Sequence, residues 1–206
     1  MPILPVKFRK ASEAAIASYN YTDIAEGTGV VTFYGMTTKQ DTTKTYILTS
    51  SATNFSNDAS TGSAAVTTTN AIRLDLDFDL STFNLPKRIR GTAIVEASLS
   101  ATKNATSMAY YYIAKIKKND VVIGQAQSET NSVASDTKYE TMTVKIPITT
   151  IQNFKKSDIL RLTMEVWAGT ASGSGSVSLF HDPKNRTVAT SLTTQLKVDV
   201  PFVLDL

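Results

Sequence analysis

Along most of the chain apolar and polar residues alternate one for one, the rhythm of a β-strand with one face buried and the other in water. It is plainest in AIRLDLDFDL (Ala71–Leu80), where Leu74, Leu76, Phe78 and Leu80 alternate with Asp75, Asp77 and Asp79. Acidic residues at every second position also open calcium-binding EF-hand loops, but such a loop needs glycine at its sixth position and glutamate at its twelfth. Counted from Asp75 those positions hold Leu80 and Pro86. Same-face side chains on a strand lie about 7 Å apart, too far to close on an ion whose oxygen ligands sit at about 2.3–2.6 Å. The three aspartates are therefore expected on the wet face of a strand.

The same rhythm recurs. Residues 29 to 36 (GVVTFYGM) and 45 to 48 (TYIL) are rich in β-branched and aromatic types, as are residues 19 to 22 (YNYT). In residues 90 to 99, Ala93, Val95, Ala97 and Leu99 share one face, and the small alanines predict close packing against a facing layer. MAYYYIAKIKK, Asn119-Asp120 and VVIGQAQSET read as a hairpin, because Asn and Asp tolerate the positive φ of a tight turn. Residues 131 to 138 read as a polar loop. Residues 139 to 148 alternate again, and Pro147 places that strand's end there or the strand at an edge. In residues 159 to 167 Leu160, Leu162, Met164 and Val166 share one face, with Trp167 on the wetter one. QLKVDVPFVLDL closes the chain as a strand in which Pro201 calls for a bulge or an edge.

Residues 49 to 70 carry Ser, Thr, Asn, Ala and Gly with little period and read as a long surface loop or weak edge strands, and residues 169 to 176 read as a flexible Gly/Ser loop. Residues 1 to 16, with two prolines and three cations in MPILPVKFRK, read as an N-terminal arm, with one helical turn capped by Ser12. The rest, 17–206, reads as one domain of about eight to ten strands with almost no helix. That predicts an all-β fold, a two-sheet β-sandwich, with long connections favouring the crossings of a jelly roll.

Composition narrows the chemistry. A chain of 206 residues that is 42% hydrophobic can bury a full core. It holds no cysteine, which removes disulfides, thiolate catalysis and cysteine-ligated metals. No apolar run reaches the about 18 residues of a membrane-spanning helix, and the N-terminus lacks a signal peptide's apolar stretch, so neither membrane nor that export route is expected. A net charge of +3 is too small to signal nucleic acid binding by itself.

Candidate chemistry is sparse. The single histidine, His181, precedes Asp182 and Pro183, and no strand-to-helix Gly-x-Ser-x-Gly elbow accompanies it, so a turn outweighs a Ser-His-Asp site. Asp75, Asp77, Glu96 and Glu165 could be drawn as paired carboxylates of a glycosidase, but as outward-facing charges they more simply pair with Lys145, Arg161 or Lys197. Lys115, Lys117 and Lys118, Lys87-Arg88-Ile89-Arg90 and Lys155-Lys156, together with Tyr110, Tyr111 and Tyr112, raise single-stranded nucleic acid as a ligand. Lysines at strand ends and edges serve the fold equally well, so no specific nucleic acid partner is expected. Tyr110 and Tyr112 must share one face and Tyr111 the other. Asn20, Asn54, Asn104 and Asn185 open Asn-x-Ser/Thr triplets, a number close to chance in a Ser/Thr-rich chain. No catalytic, cofactor-binding or metal-ligating residue is assigned.

The segments ASYNYTDIAEGTGVVTFYG, LDLDFDLSTFNLPKRIRGTAIVEASL, NFKKSDILRLTMEVWAG, GSGSVSLFHDPKNR and LKVDVPFVLDL together resemble a family of virion structural proteins of tailed viruses of archaea and bacteria. The resemblance implies a jelly-roll capsid, decoration, turret or tail-associated protein. Such a protein has no catalytic activity or cofactor, is made in the host cytoplasm and assembles on the virion with itself and other virion proteins. An arm too short for a core of its own is expected to pair with a neighbouring subunit, burying Ile3, Leu4, Val6 and Phe8 there. The rival reading is a carbohydrate-binding module, or a virion protein that binds host glycans, with Trp167 and Tyr111 as sugar platforms.

Overall fold

In a computed structural model of the chain, residues 17–18, 28–38, 45–51, 59–103, 107–134, 136–181 and 195–203 are described. The alternating segments form strands: β1 (Ala17–Ser18), β2 (Thr28–Thr37), β3 (Tyr46–Thr49), β4 (Ala64–Val66), β5 (Ala71–Leu80), β6 (Lys87–Lys103) and β7 (Met108–Lys118). They continue as β8 (Val121–Gln127), β9 (Asn131–Val133), β10 (Asp136–Phe154), β11 (Leu160–Thr170), β12 (Gly175–Phe180) and β13 (Leu196–Val203). The described residues contain no helix. The expected arm, its helical turn, the strand at 19–22 and all four Asn-x-Ser/Thr asparagines lie outside the described residues.

The protein is all-β, with one large mixed sheet in the order β4-β12-β6-β13-β2-β3-β5-β11-β7-β8; β10 also pairs β6, β9 pairs β7 and β1 pairs β2. Every pairing is antiparallel except β3 with β5, where Ile47 lies opposite Asp79. β6 carries the most pairing: β10 runs along it from Lys87 to Lys103, while β12 and β13 divide its other side.

The apolar sides of the strands gather into one hydrophobic cluster. Ala93, Val95, Ala97 and Leu99 of β6, Tyr110, Tyr112 and Ile116 of β7, and Leu160, Leu162, Met164 and Val166 of β11 are all at most 1% exposed and belong to one core. Burial of each larger side chain contributes about 1.5–3 kcal/mol. The Tyr112 hydroxyl crosses that core to donate to the Met142 carbonyl at 2.9 Å, and the Tyr110 hydroxyl donates to Glu140 Oε2 at 2.5 Å, which ties β7 to β10. Burial, and then the neighbouring carboxylates Glu140 and Glu96 respectively, push both phenols well above the usual tyrosine range.

One expectation needs correction, and two open alternatives are decided. Residues 131 to 138 are not simply loop: β9 lies there and β10 begins at Asp136, held against Lys103 of β6. Polar residues fill that stretch because one side of β10 faces solvent. Of the two readings of Pro147, a strand end or an edge, the structure shows the edge: β10 runs on to Phe154, with a register shift between Ile148 and Gln152. β10 pairs only β6, so the proline's missing donor is lost on an open side. Of the two readings of residues 49 to 70, a long surface loop or weak edge strands, the second holds at β4, three residues long at the end of the sheet order and paired with β12.

Candidate ligand-binding face

The outward sides of β5, β11, β7 and β8 form a polar and aromatic face. Its rows are set by register: Arg161 lies between Asp79 and Lys117, Thr163 between Asp77 and Lys115, Glu165 between Asp75 and Ile113, and Trp167 between Ile72 and Tyr111. On β8, Gln125 and Gln127 extend the rows of Lys115 and Ile113.

The acidic triplet thus stands where the alternation put it, and its carboxylates are engaged separately. Asp79 is gripped by the Arg161 fork, which also reaches Asp120 at 2.6 Å and Asp77 at 3.4 Å. Asp77 accepts from the Thr163 hydroxyl and lies 3.6 Å from Lys117. The hydrogen bonds to Asp79, followed by the charges of Asp79, Asp77 and Asp120, raise the guanidinium's pKa above its already high ordinary value, so Arg161 stays charged.

At the other end of the face Tyr111 and Trp167 are direct cross-strand neighbours, half-buried, with ring centroids 6.0 Å apart and planes only 6° from parallel. Glu165, two residues before Trp167 on the same side, is 8% exposed. One of its oxygens accepts from Lys115 and the other lies 3.4 Å from the Trp167 indole N–H. A nearly buried carboxylate thereby locks a cation and fixes the edge of an aromatic ring. Ile72, 42% exposed, continues the apolar end.

The remaining candidates are dispersed. Glu96 sits on β6 beside Lys197 at 3.4 Å, away from this face, so no pairing with Asp75, Asp77 or Glu165 forms. Lys118 lies 3.1 Å from Asp158 and donates to the Asn153 carbonyl at 2.6 Å, so the lysines near the hairpin serve ion pairs within the fold. His181 is fully buried beside Tyr46 and Phe78, with its backbone N–H donating to the Ala59 carbonyl at 3.0 Å, while Asp182, the other half of the expected turn, lies outside the described residues.

One buried charge was missed. Lys103 is 1% exposed, and its amino group donates to the carbonyls of Ser172 at 2.5 Å and Ser174 at 3.0 Å, closing the turn at Gly173. It keeps phase with Leu99 and Ala101 along β6, a signal available in the sequence.

Fold and face together define an all-β protein with a rigid aromatic and ionic surface. No family model matches the sequence, and no curated protein matches it. Its fold is similar to parts of three solved hydrolases. An α-amino acid ester hydrolase matches with a TM-score of 0.49 at 7% identity over 83% of this chain and 36% of its own. A CocE/NonD family hydrolase from Staphylococcus aureus gives 0.42 at 12% identity over 83% and 41%. An aminopeptidase from a marine sediment archaeon, Thaumarchaeota archaeon, gives 0.39 at 8% identity over 64% and 26%. The chain spans well under half the length of each, and likeness at these identities concerns the fold alone, so no residue is carried across. The expectations of a virion structural part and of a chain without catalytic activity are corrected by these matches, which are hydrolases. The physical reason is that the residues behind that resemblance are strand and turn formers, which report architecture rather than activity.

Proposed function

We propose that the chain is a two-sheet β-sandwich of jelly-roll type whose outer β5-β11-β7-β8 face recognises a saccharide. The two-sheet reading is supported by the hydroxyl of Tyr112 reaching across the core to β10. The recognition reading rests on one observation, the parallel Tyr111 and Trp167 rings, half-exposed on adjacent strands.

A pyranose ring has an apolar C–H face and a rim of hydroxyls. Parallel aromatic rings match the first, and Gln127, Gln125, Lys115 and Asp75 stand in neighbouring rows to meet the second. The Glu165 contacts hold Trp167 and Lys115 before any ligand arrives, so little ordering cost falls on binding.

The chain's single tryptophan makes the test direct. Titration with glycans selected from an array is expected to change Trp167 fluorescence saturably, and both Trp167→Ala and Tyr111→Ala are expected to abolish array binding while the fold is retained. A silent array with folded protein, or binding that survives both substitutions, overturns the reading.

A further inference from the structure

We infer that β8 is a self-association edge through which two copies of this chain pair antiparallel about a two-fold axis at Gly124. β8 ends the sheet order and is paired by β7 alone. Its sequence, VVIGQAQ, holds neither charge nor proline, and Val121 and Val122 are 68% and 44% exposed. Soluble proteins protect open edges with charges, prolines or very short strands, because unpaired N–H and C=O groups invite another strand.

The other open edges among the described residues follow that rule. β10 carries Asp136, Lys138, Glu140, Lys145 and Pro147, and β1, β4 and β9 are two or three residues long. β8 has neither charge nor proline nor brevity, and only the register shift at Ile123, opposite Ile116 and Lys117 of β7, interrupts it.

The strand is also self-complementary. An axis at Gly124 sets Val121 opposite Gln127 of the partner subunit, Val122 opposite Ala126 of the partner subunit, and Ile123 opposite Gln125 of the partner subunit, so no charge meets a like charge and the whole strand is used. Gly124 keeps the edge in place: a Cβ there would lie 2.8 Å from Ile146 Cγ2 and 3.2 Å from the Pro147 carbonyl, so only glycine lets β8 lie this close to β10. One seven-residue ladder is small beside the about 1,200 Å² of a stable interface, so the dimer dissociates on dilution. The inference does not depend on saccharide binding.

Sedimentation velocity over a concentration series, combined with backbone hydrogen exchange, tests it. The expected result is a monomer–dimer shift with rising concentration, accompanied by slowed exchange at the β8 amides. Val122→Lys/Gln125→Lys is expected to remain monomeric with an unchanged circular dichroism spectrum, while Ile151→Lys, on exposed β10, dimerises as before. Should the double variant lose its fold, Gln125→Lys alone replaces it. A chain that is monomeric throughout, a dimer indifferent to the edge lysines, or a dimer whose β8 amides exchange as fast as the monomer's overturns the inference.

Discussion

Arg161 and Asp79 meet across β11 and β5 as a two-pronged pair, Nε to Oδ1 at 2.5 Å and Nη2 to Oδ2 at 2.9 Å. The planar guanidinium matches both carboxylate oxygens at once, which a lysine ammonium cannot do. Arg161→Lys is expected to cost about 1 kcal/mol in urea unfolding, and Arg161→Ala about 2 kcal/mol, since removal leaves Asp79 without its two-pronged partner. Raising the salt to 1 M should shrink both losses. Equal stability of all three proteins at low salt would count against the fork as a stabilising element.

Asp158 clamps the turn after β10 to the β7-β8 hairpin. Its carboxylate accepts from the Lys155 backbone N–H at 2.8 Å and from the Asn119 side chain at 3.2 Å, while Asn119 Oδ1 accepts from the Ile159 N–H at 2.8 Å. Those bonds, the Lys155 amide foremost, followed by Lys118, lower its pKa to about 2. A depressed carboxylate contributes stability above its unfolded value of 3.8, and that contribution disappears as pH falls through about 2. Thermal melts between pH 5 and pH 2 should therefore fall less steeply for Asp158→Asn than for the parent. Asn119 adopts a φ of 53°, so Asn119→Gly should be tolerated better than Asn119→Val.

Tyr110 and Tyr112 are both raised by burial. Their neutral forms are favoured in the fold, so their contribution is present below the unfolded value of 10.0 and is lost as alkaline pH approaches the raised ones. Of the 8 tyrosines, at most 6 (8 minus these 2) should ionise in an absorbance titration before the chain unfolds. Eight ionising reversibly in the folded protein would contradict the burial.

Gly169, on β11, passes so close to residue 70 that an added Cβ would lie 2.7 Å from Asn70 Cα and 2.8 Å from its backbone nitrogen. Backbone cannot swing aside as a side-chain tip can. Gly169→Ala is expected to destabilise by about 1–3 kcal/mol, measured by chemical denaturation.

The local parts of this fold were legible because strand alternation is written in adjacent residues. It placed Asp75, Asp77 and Asp79 on the wet face, split the tyrosine triplet, and marked the hairpin at Asn119. Pro201 left a bulge or an edge open, and the β13-β6 register shift between Asp199 and Phe202 decides for the bulge. What pairs with what was not legible. Tyr111 and Trp167 belong to strands far apart in sequence, so each could be suspected as an aromatic platform while their stacking depended on β7 choosing β11. The length of β10 was hidden for the same reason: its polar half is a strand because β6 lies beside it. Lys103 was overlooked because a charged residue in core phase is read as the strand's end, whereas loop carbonyls can satisfy it.

The central place of β6 bears on how the chain is made. It takes partners from β10, β12 and β13, the last ending at Val203, so a ribosome exposes β6 long before the strands that flank it exist. Until then both of its sides stand open, and tertiary closure waits for distant contacts that form slowly. Nascent chains of this design depend on rapid completion of synthesis, or on chaperones, to escape clumping through that one long ribbon.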